Sequence, residues 1–265
     1  MLAEEGVAVT GLRRRQSTSP LAGVTMLRAD LGDRESLGSL TREHFDCAVI
    51  CPAPDHSSPE DYRQTYVRGL ENLFLALPQD RLRRVVFTSS TGVYAQDDGS
   101  WVNEQSPVQP QHYTGQTMLE AERTLTNIGI SSVILRLSGI YGPHRASLIE
   151  RLRDGRERLW QGAHRVLNLI HRDDAARAIV HVLTLPSPDP VYIASDSLPS
   201  QRNEILTWLA QEMALGPLGI HEGNEPTSFR GNKRCSNKAL IASGFRLQFP
   251  DFRAGYGALL KESQD

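Results

Sequence analysis

Short β-branched or apolar runs alternate with helix-length stretches along this chain, and that alternation confines it to one class of fold. Such runs lie at residues 7–12, 24–29, 46–51, 84–89, 132–137 and 191–194. Val85-Val86-Phe87 is apolar at successive positions, so it has no polar face, which suits a strand buried on both sides of a parallel sheet. Between the runs lie helical patterns. Tyr66, Leu70, Leu73 and Leu77 recur at helical spacing within 60–77, and further helices are expected at 113–127, from Asp173-Asp174 to 185, at 202–213 and at the C-terminus. Asp173 and Asp174 in a first turn complement the helix dipole. The expected architecture is an α/β doubly wound parallel sheet. The pattern loosens after residue 143: 144–166 reads as a helix plus an irregular segment, and 167–171 as a short strand. We therefore expect a core over 1–143, and the rest of the core with a small interleaved cap over 144–265.

Composition narrows the function classes. Of 265 residues, 39% are hydrophobic and 23% charged, a balance that suits a packed globular domain. The net charge of −2 offers no basic field for nucleic acid. Apolar runs of about five residues are too short to span a bilayer. Cys47, Cys51 and Cys235 have neither zinc-ligand spacing nor an even disulfide count, so no metal site is expected and a reducing cytoplasm is. At the N-terminus acids precede bases, the reverse of a secretory leader.

Two segments carry candidate chemistry. The run from Val85 to Tyr94 ends a strand in Thr88, Ser89, Ser90 and Thr91. In an open α/β sheet, ligands bind outside the carboxyl ends of the strands. Hydroxyls there either hydrogen-bond a substrate oxygen or satisfy strand-end backbone groups. Downstream, Tyr113 opens a helix, either as an acid/base or as an aromatic core residue.

Taken with its neighbours, this pattern resembles the extended short-chain dehydrogenase/reductases, the NAD-dependent epimerase/dehydratase family. Val9-Thr10-Gly11-Leu12-Arg13-Arg14 resembles the family's second strand, and Ala29-Asp30-Leu31 its adenine-contacting turn. Tyr66 to Leu73 resembles its central helix, and Phe87 to Tyr94 the strand carrying the catalytic Ser/Thr, which alignment on Val93-Tyr94 places at Ser90. Leu135-Arg136 through Tyr141-Gly142-Pro143 resembles the strand and turn at the nicotinamide, and Ile170 to Asp174 a helix-opening signature. The resemblance implies a Rossmann-like core, NAD or NADP as cofactor, and a small-molecule substrate such as a nucleotide sugar. It implies Ser90 and Tyr113 as catalytic residues. It implies Arg13, Arg14, Asp30, Leu31, Cys51, Pro52, Thr88, Tyr113, Thr117 and Tyr141 around the cofactor. A homodimer through helices 60–77 and 113–127 follows by analogy of fold alone.

The chain departs from the family twice. The family pattern is Tyr-x-x-x-Lys, and here Thr117 stands four residues after Tyr113. A phenol with pKa about 10 is ionised in about one part in a thousand at neutral pH, and a lysine that lowers it removes a deficit of roughly 4 kcal/mol. Threonine can hydrogen-bond a ribose but brings no charge. The second departure is the glycine-rich phosphate loop, expected about 20 residues before the first matched segment. The sequence holds no such loop elsewhere, and Leu2 to Glu5 read as the end of a first helix; either the start is placed too far downstream or the cradle is lacking. A non-catalytic dinucleotide-binding or scaffold member of the same fold is the alternative these departures raise.

Arg13, Arg14 and Arg15 stand where an acid would hold the 2′-hydroxyl of NAD. Arginine suits a 2′-phosphate, so NADP is favoured, against the alternative of a solvated basic turn. His144 and His171 read as structural residues. Trp101 and Trp160 suit a cleft, a partner contact or the core. Lys233 and Arg234 read as part of a solvated loop, against the alternative, which the resemblance implies, that one of them meets an anionic group of the substrate.

Overall fold

The computed structural model describes residues 1–15, 22–162, 165–223 and 231–262. Residues 16–21, which follow the arginine run, lie outside the described residues, as does part of the irregular segment before residue 166. The chain divides into two compact units: residues 1–87 with 117–132, and residues 88–116 with 133–265.

In the first unit, strands β1 (Val9–Arg13) and β2 (Val24–Arg28) pair in parallel, Val9 opposite Val24 and Arg13 opposite Arg28. Strand β3 (Cys47–Ile50) pairs in parallel with the start of β4 (Arg84–Ser90), Cys47 opposite Arg84 and Ile50 opposite Phe87. Val85, Val86 and Phe87 are fully buried, as a run apolar on both faces requires. The helix expected at 60–77 forms in three pieces: α1 (Pro59–Arg63), a π-helical turn over Gln64–Arg68, and α2 (Gly69–Ala76). Ser58 caps its start by accepting the Asp61 N–H at 3.1 Å, with Pro59 at the first position, where no N–H is needed. A 3₁₀ helix at Glu35–Arg42 was not expected; it buries Leu37 and Leu40. Residues 1–6 form a turn in which the Glu5 N–H reaches the Met1 carbonyl at 3.1 Å.

Strand β4 ends in the second unit. That unit holds the short β5 (Trp101–Val102), the first turn of α3 (Tyr113–Asn127), most of β6 (Ser132–Leu137), β7 (Gly139–Tyr141), α4 (Ser147–Arg153), β8 (Leu159–Trp160), β9 (Val166–Leu167), β10 (Leu169–His171) and α5 (Arg172–Thr184). It continues with β11 (Val191–Ala194), β12 (Ser200–Gln201), α6 (Arg202–Glu212), β13 (Ile220–His221), β14 (Arg234–Cys235), α7 (Lys238–Ala242) and α8 (Phe252–Glu262). Strands β6 and β11 pair in parallel, as do β7 and β10. The division expected at residue 143 falls inside this unit, because β7 and β10 pair across it. A core of Ile205, Leu206, Leu209, Phe252 and Tyr256 joins α6 to α8.

Asp174 does more than complement a dipole. It is fully buried, and its two oxygens accept the Gln248 and Phe249 N–H groups at 2.9 and 2.8 Å while Arg177 pairs with it at 2.8 Å. The solvated loop expected around Lys233 and Arg234 is instead the parallel pair of β14 with β5, and Lys233 is buried. Among the described residues, no helix is long and apolar enough to cross a membrane.

Candidate functional site

In the first unit, a cleft of about 1040 Å³ opens at the carboxyl ends of β1, β2 and β3. Arg13, Arg14, Asp30, Leu31, Cys51 and Pro52, six of the residues expected around a cofactor, all line it. The reason is topological: each follows or ends one of the three strands, and parallel strands deliver their carboxyl ends to one side. The turn after β2 is built from within. Asp30 Oδ1 accepts the Gly32 N–H at 2.8 Å, and Ser36 Oγ accepts the Asp30 N–H at 2.9 Å. The long helix holds the same turn from outside, with Asn72 donating to the Leu31 carbonyl at 2.8 Å and Gln64 to the Gly32 carbonyl at 3.0 Å. Gly69 permits that approach, since a Cβ there would sit 3.1 Å from Leu31 Cβ.

Charge in this cleft is mixed. Arg14 makes a two-pronged pair with Asp55, Nη2 to Oδ1 at 2.7 Å, which holds the Asp55 carboxyl below the usual carboxylate range. Asp55 was not singled out from the sequence, because its partner lies 41 residues away. Arg13 and Arg15 are exposed. Cys47 and Cys51 are free thiols with exposed surface; burial of part of each pushes its pKa up.

In the second unit, Ser90 ends β4. Its Oγ accepts the Gly92 N–H at 3.0 Å and caps a short 3₁₀ turn over Thr91–Val93. The structural reading of a strand-end hydroxyl thus holds for one of its lone pairs. Gly115 is the residue the sequence did not flag. A Cβ at this position would lie 2.4 Å from the Gly92 carbonyl oxygen and 2.6 Å from Pro110 Cβ. Only glycine lets the first turn of α3 close so far onto the turn that Ser90 caps. Tyr113, two residues before Gly115, and Ser90, two before Gly92, are thereby carried on two segments in backbone contact. The Tyr113 ring is half-buried against His112, centroids 4.3 Å apart. Thr88 is half-buried in β4. Thr117, which belongs to the first unit, is buried.

Tyr141 lies deeper than a cofactor-lining residue at a turn suggests. It is 3% exposed, its ring 4.4 Å from Tyr256 and 5.4 Å edge-on to His171. Burial pushes its hydroxyl well above the ordinary phenol range. His171 serves structure: its Nδ1 accepts the Asp173 N–H at 3.3 Å at the start of α5, and burial lowers its pKa. His144 is exposed, with φ at 61°. Trp101 is exposed, and Trp160 stacks on His221 at 4.4 Å. Nearby, Arg136 donates to Tyr94 Oη at 2.8 Å; burial pushes Tyr94 up to about 12 although the guanidinium opposes it.

Comparison with known proteins gives a consistent result. A solved protein of Methylobacillus flagellatus with a provisional NAD-dependent epimerase/dehydratase designation is 36% identical, with a TM-score of 0.83 over 100% of this chain and 93% of that one. Protein YeeZ of Escherichia coli is 29% identical over 94% of this chain and 90% of its own length. The UDP-glucose 4-epimerase of Thermus thermophilus, solved with NAD, superposes with a TM-score of 0.79 over 96% of this chain and 90% of that one at 22% identity, a likeness of fold. The model of the NAD-dependent epimerase/dehydratase family matches residues 1–194, and the chain belongs to that family.

Proposed function

We propose that this protein binds a nicotinamide dinucleotide, NADP in preference to NAD, and acts on a hydroxyl or carbonyl group of a small molecule such as a sugar nucleotide. The observation that carries the catalytic part is the contact of Gly115 with the Gly92 carbonyl, which holds the segments of Tyr113 and Ser90 together. In this reading Ser90 Oγ orients the substrate oxygen with the hydrogen-bonding capacity left after its Gly92 contact. Tyr113 Oη exchanges a proton with that oxygen, acting as donor, since Thr117 supplies no positive charge to favour the phenolate. The dinucleotide, when bound, supplies hydride transfer.

The cleft of the first unit fits the adenosine end of such a cofactor. Its floor carries the braced Asp30–Leu31 turn, and Arg13 suits a 2′-phosphate through paired N–H groups. Arg14 is shared with Asp55, so Arg13 carries more of the preference. The sugar-nucleotide class rests on analogy with the Thermus epimerase, whose fold this chain shares. Nicotinamide fluorescence during titration with NADPH and with NADH tests the binding step. Tighter binding of NADPH, lost with Arg13→Ala, is the expected result; no binding of either cofactor refutes the proposal. A second reading, a dinucleotide-binding protein without turnover, is favoured by Thr117 in the lysine position. Binding that persists while no carbonyl substrate in a nucleotide-sugar panel is reduced would select it.

A further inference from the structure

Gly115 fixes where the first turn of α3 lies against the Ser90 turn, but a backbone contact leaves the direction of a side chain open. The Tyr113 side chain turns about two torsions, and a proton donor works only when its hydroxyl is aimed at the acceptor. The residue before it bears on that aim. His112 stands just outside α3, and its carbonyl accepts the Gln116 N–H at 3.1 Å. Within a helix, consecutive side chains diverge by about 100°. His112 is not helical, so its ring can turn back over Tyr113. The two half-buried rings lie 4.3 Å apart between centroids and are tilted by 40°.

The imidazole is itself held. Its Nδ1 accepts the Thr114 N–H at 3.4 Å and meets the Thr114 hydroxyl at 2.9 Å. These contacts tie the side chain to the helix start two residues on, as an N-cap does. The ring therefore works at two places. Its edge nitrogen bonds the start of α3, and its face packs on the phenol. Aromatic rings in contact favour particular offsets and tilts, so the anchored imidazole restricts the orientations open to Tyr113.

The geometry points to His112 as a positioning residue, whose Thr114-anchored ring holds the Tyr113 phenol in the direction its proton transfer requires. This inference rests on the role proposed for Tyr113 above. It differs from capping alone, in which Nδ1 matters and the ring face does not. Two substitutions separate the roles, because each keeps one of them. His112→Asn keeps a side-chain acceptor, asparagine being among the strongest N-cap residues, and removes the ring. His112→Phe keeps a ring face for the phenol and removes the acceptor.

The test compares the full chain with both variants by NMR, with the tyrosine rings isotopically labelled and Tyr113→Phe identifying the Tyr113 signals. A ring packed on the phenol displaces those signals from the position of a tyrosine without such a neighbour. His112→Asn should lose most of that displacement while unfolding at the parent's urea concentration. His112→Phe should keep most of it while unfolding at lower urea, since its cap is gone. Reduction of the carbonyl substrates of the nucleotide-sugar panel by NADPH gives the second readout. There kcat should fall by about tenfold or more in His112→Asn and by less than about fivefold in His112→Phe, with KM for NADPH within about twofold in both. A displacement that survives in His112→Asn overturns the inference. So does a loss of kcat in His112→Phe that equals or exceeds the loss in His112→Asn, which is the pattern of capping alone. If the parent reduces no member of the panel, the proposed turnover fails on its own account, and the ring displacement still decides whether His112 holds Tyr113.

Discussion

Replacing Gly115 with alanine sets helix propensity against packing, and the two give opposite signs. On propensity alone, alanine in place of glycine in a helix stabilises by up to about 1 kcal/mol, and less in the first turn, where Gly115 lies. Against that, the new Cβ would stand 2.4 Å from the Gly92 carbonyl oxygen, 3.2 Å from Gly92 C and 2.6 Å from Pro110 Cβ. Two of these neighbours are backbone and the third is a proline ring, so none can swing aside as a flexible side chain would. Relief requires the start of α3 and the Ser90 turn to separate by roughly 1 Å, and overpacking of that kind costs about 1–3 kcal/mol. Packing wins, and a net destabilisation of about 1–2 kcal/mol is expected. With a slope of about 2–3 kcal/mol/M for a chain of this size, the urea midpoint should fall by roughly 0.5 M. Turnover should fall further, since a misplacement of about 1 Å between reacting groups costs about a hundredfold. Gly38→Ala is the control: a Cβ there meets nothing within 4 Å, and that variant should match or exceed the parent in stability. If Gly115→Ala proves as stable as the parent, the close approach of α3 to the Ser90 turn is wrong.

Four further outcomes are expected in the second unit. A Cβ on Gly255 in α8 would fall 1.8 Å from Tyr141 Oη, so Gly255→Ala should destabilise by about 2–3 kcal/mol in urea titration. Tyr141 Oη is buried with no hydrogen-bond partner among the described residues, so Tyr141→Phe should leave stability within about 1 kcal/mol of the parent or raise it. Burial pushes the Asp196 carboxyl up to about 8, and the unfolded chain ionises it near the usual value of about 3.9. Between those values the unfolded state binds fewer protons, so this group lowers stability by up to about 1.4 kcal/mol per unit as pH rises from about 4 to 8. Asp196→Asn should remove that slope when urea midpoints are compared at pH 5, 6 and 7; an unchanged slope would refute the assignment. Asp174→Ala leaves two backbone donors and Arg177 without their buried acceptor, and should cost about 3–5 kcal/mol by thermal or urea unfolding.

The difference between what was legible and what was not follows the range of the interactions. Residues 132–137, 113–127 and 191–194 form the expected elements to the residue, because their patterns are continuous and tertiary packing agrees with them. The 3₁₀ helix at Glu35–Arg42 was missed: its eight residues include Gly38, two serines and a threonine, and it is held by the burial of Leu37 and Leu40. The segment at Lys233–Arg234 looked solvated because it is polar, yet β14 finds its partner β5 more than a hundred residues upstream. Asp174 was legible as a helix-start carboxylate, while its grip on Gln248 and Phe249 was not, since those amides lie 74 and 75 residues away.

By itself, the sequence determined the alternation of strands and helices, and hence a parallel α/β core with its ligand-facing residues at strand ends. These depend on periodicity and on strand direction, which local sequence encodes. It also marked Ser90, Tyr113 and the arginine run as the groups with chemistry to offer. Only the tertiary structure decided how those groups are held. It paired Arg14 with Asp55, drove Tyr141 into a core that Gly255 makes room for, and used Gly115 to close α3 onto the Ser90 turn. Each of these is a contact between residues distant in the chain, and its geometry is fixed by packing rather than by the pattern of either partner.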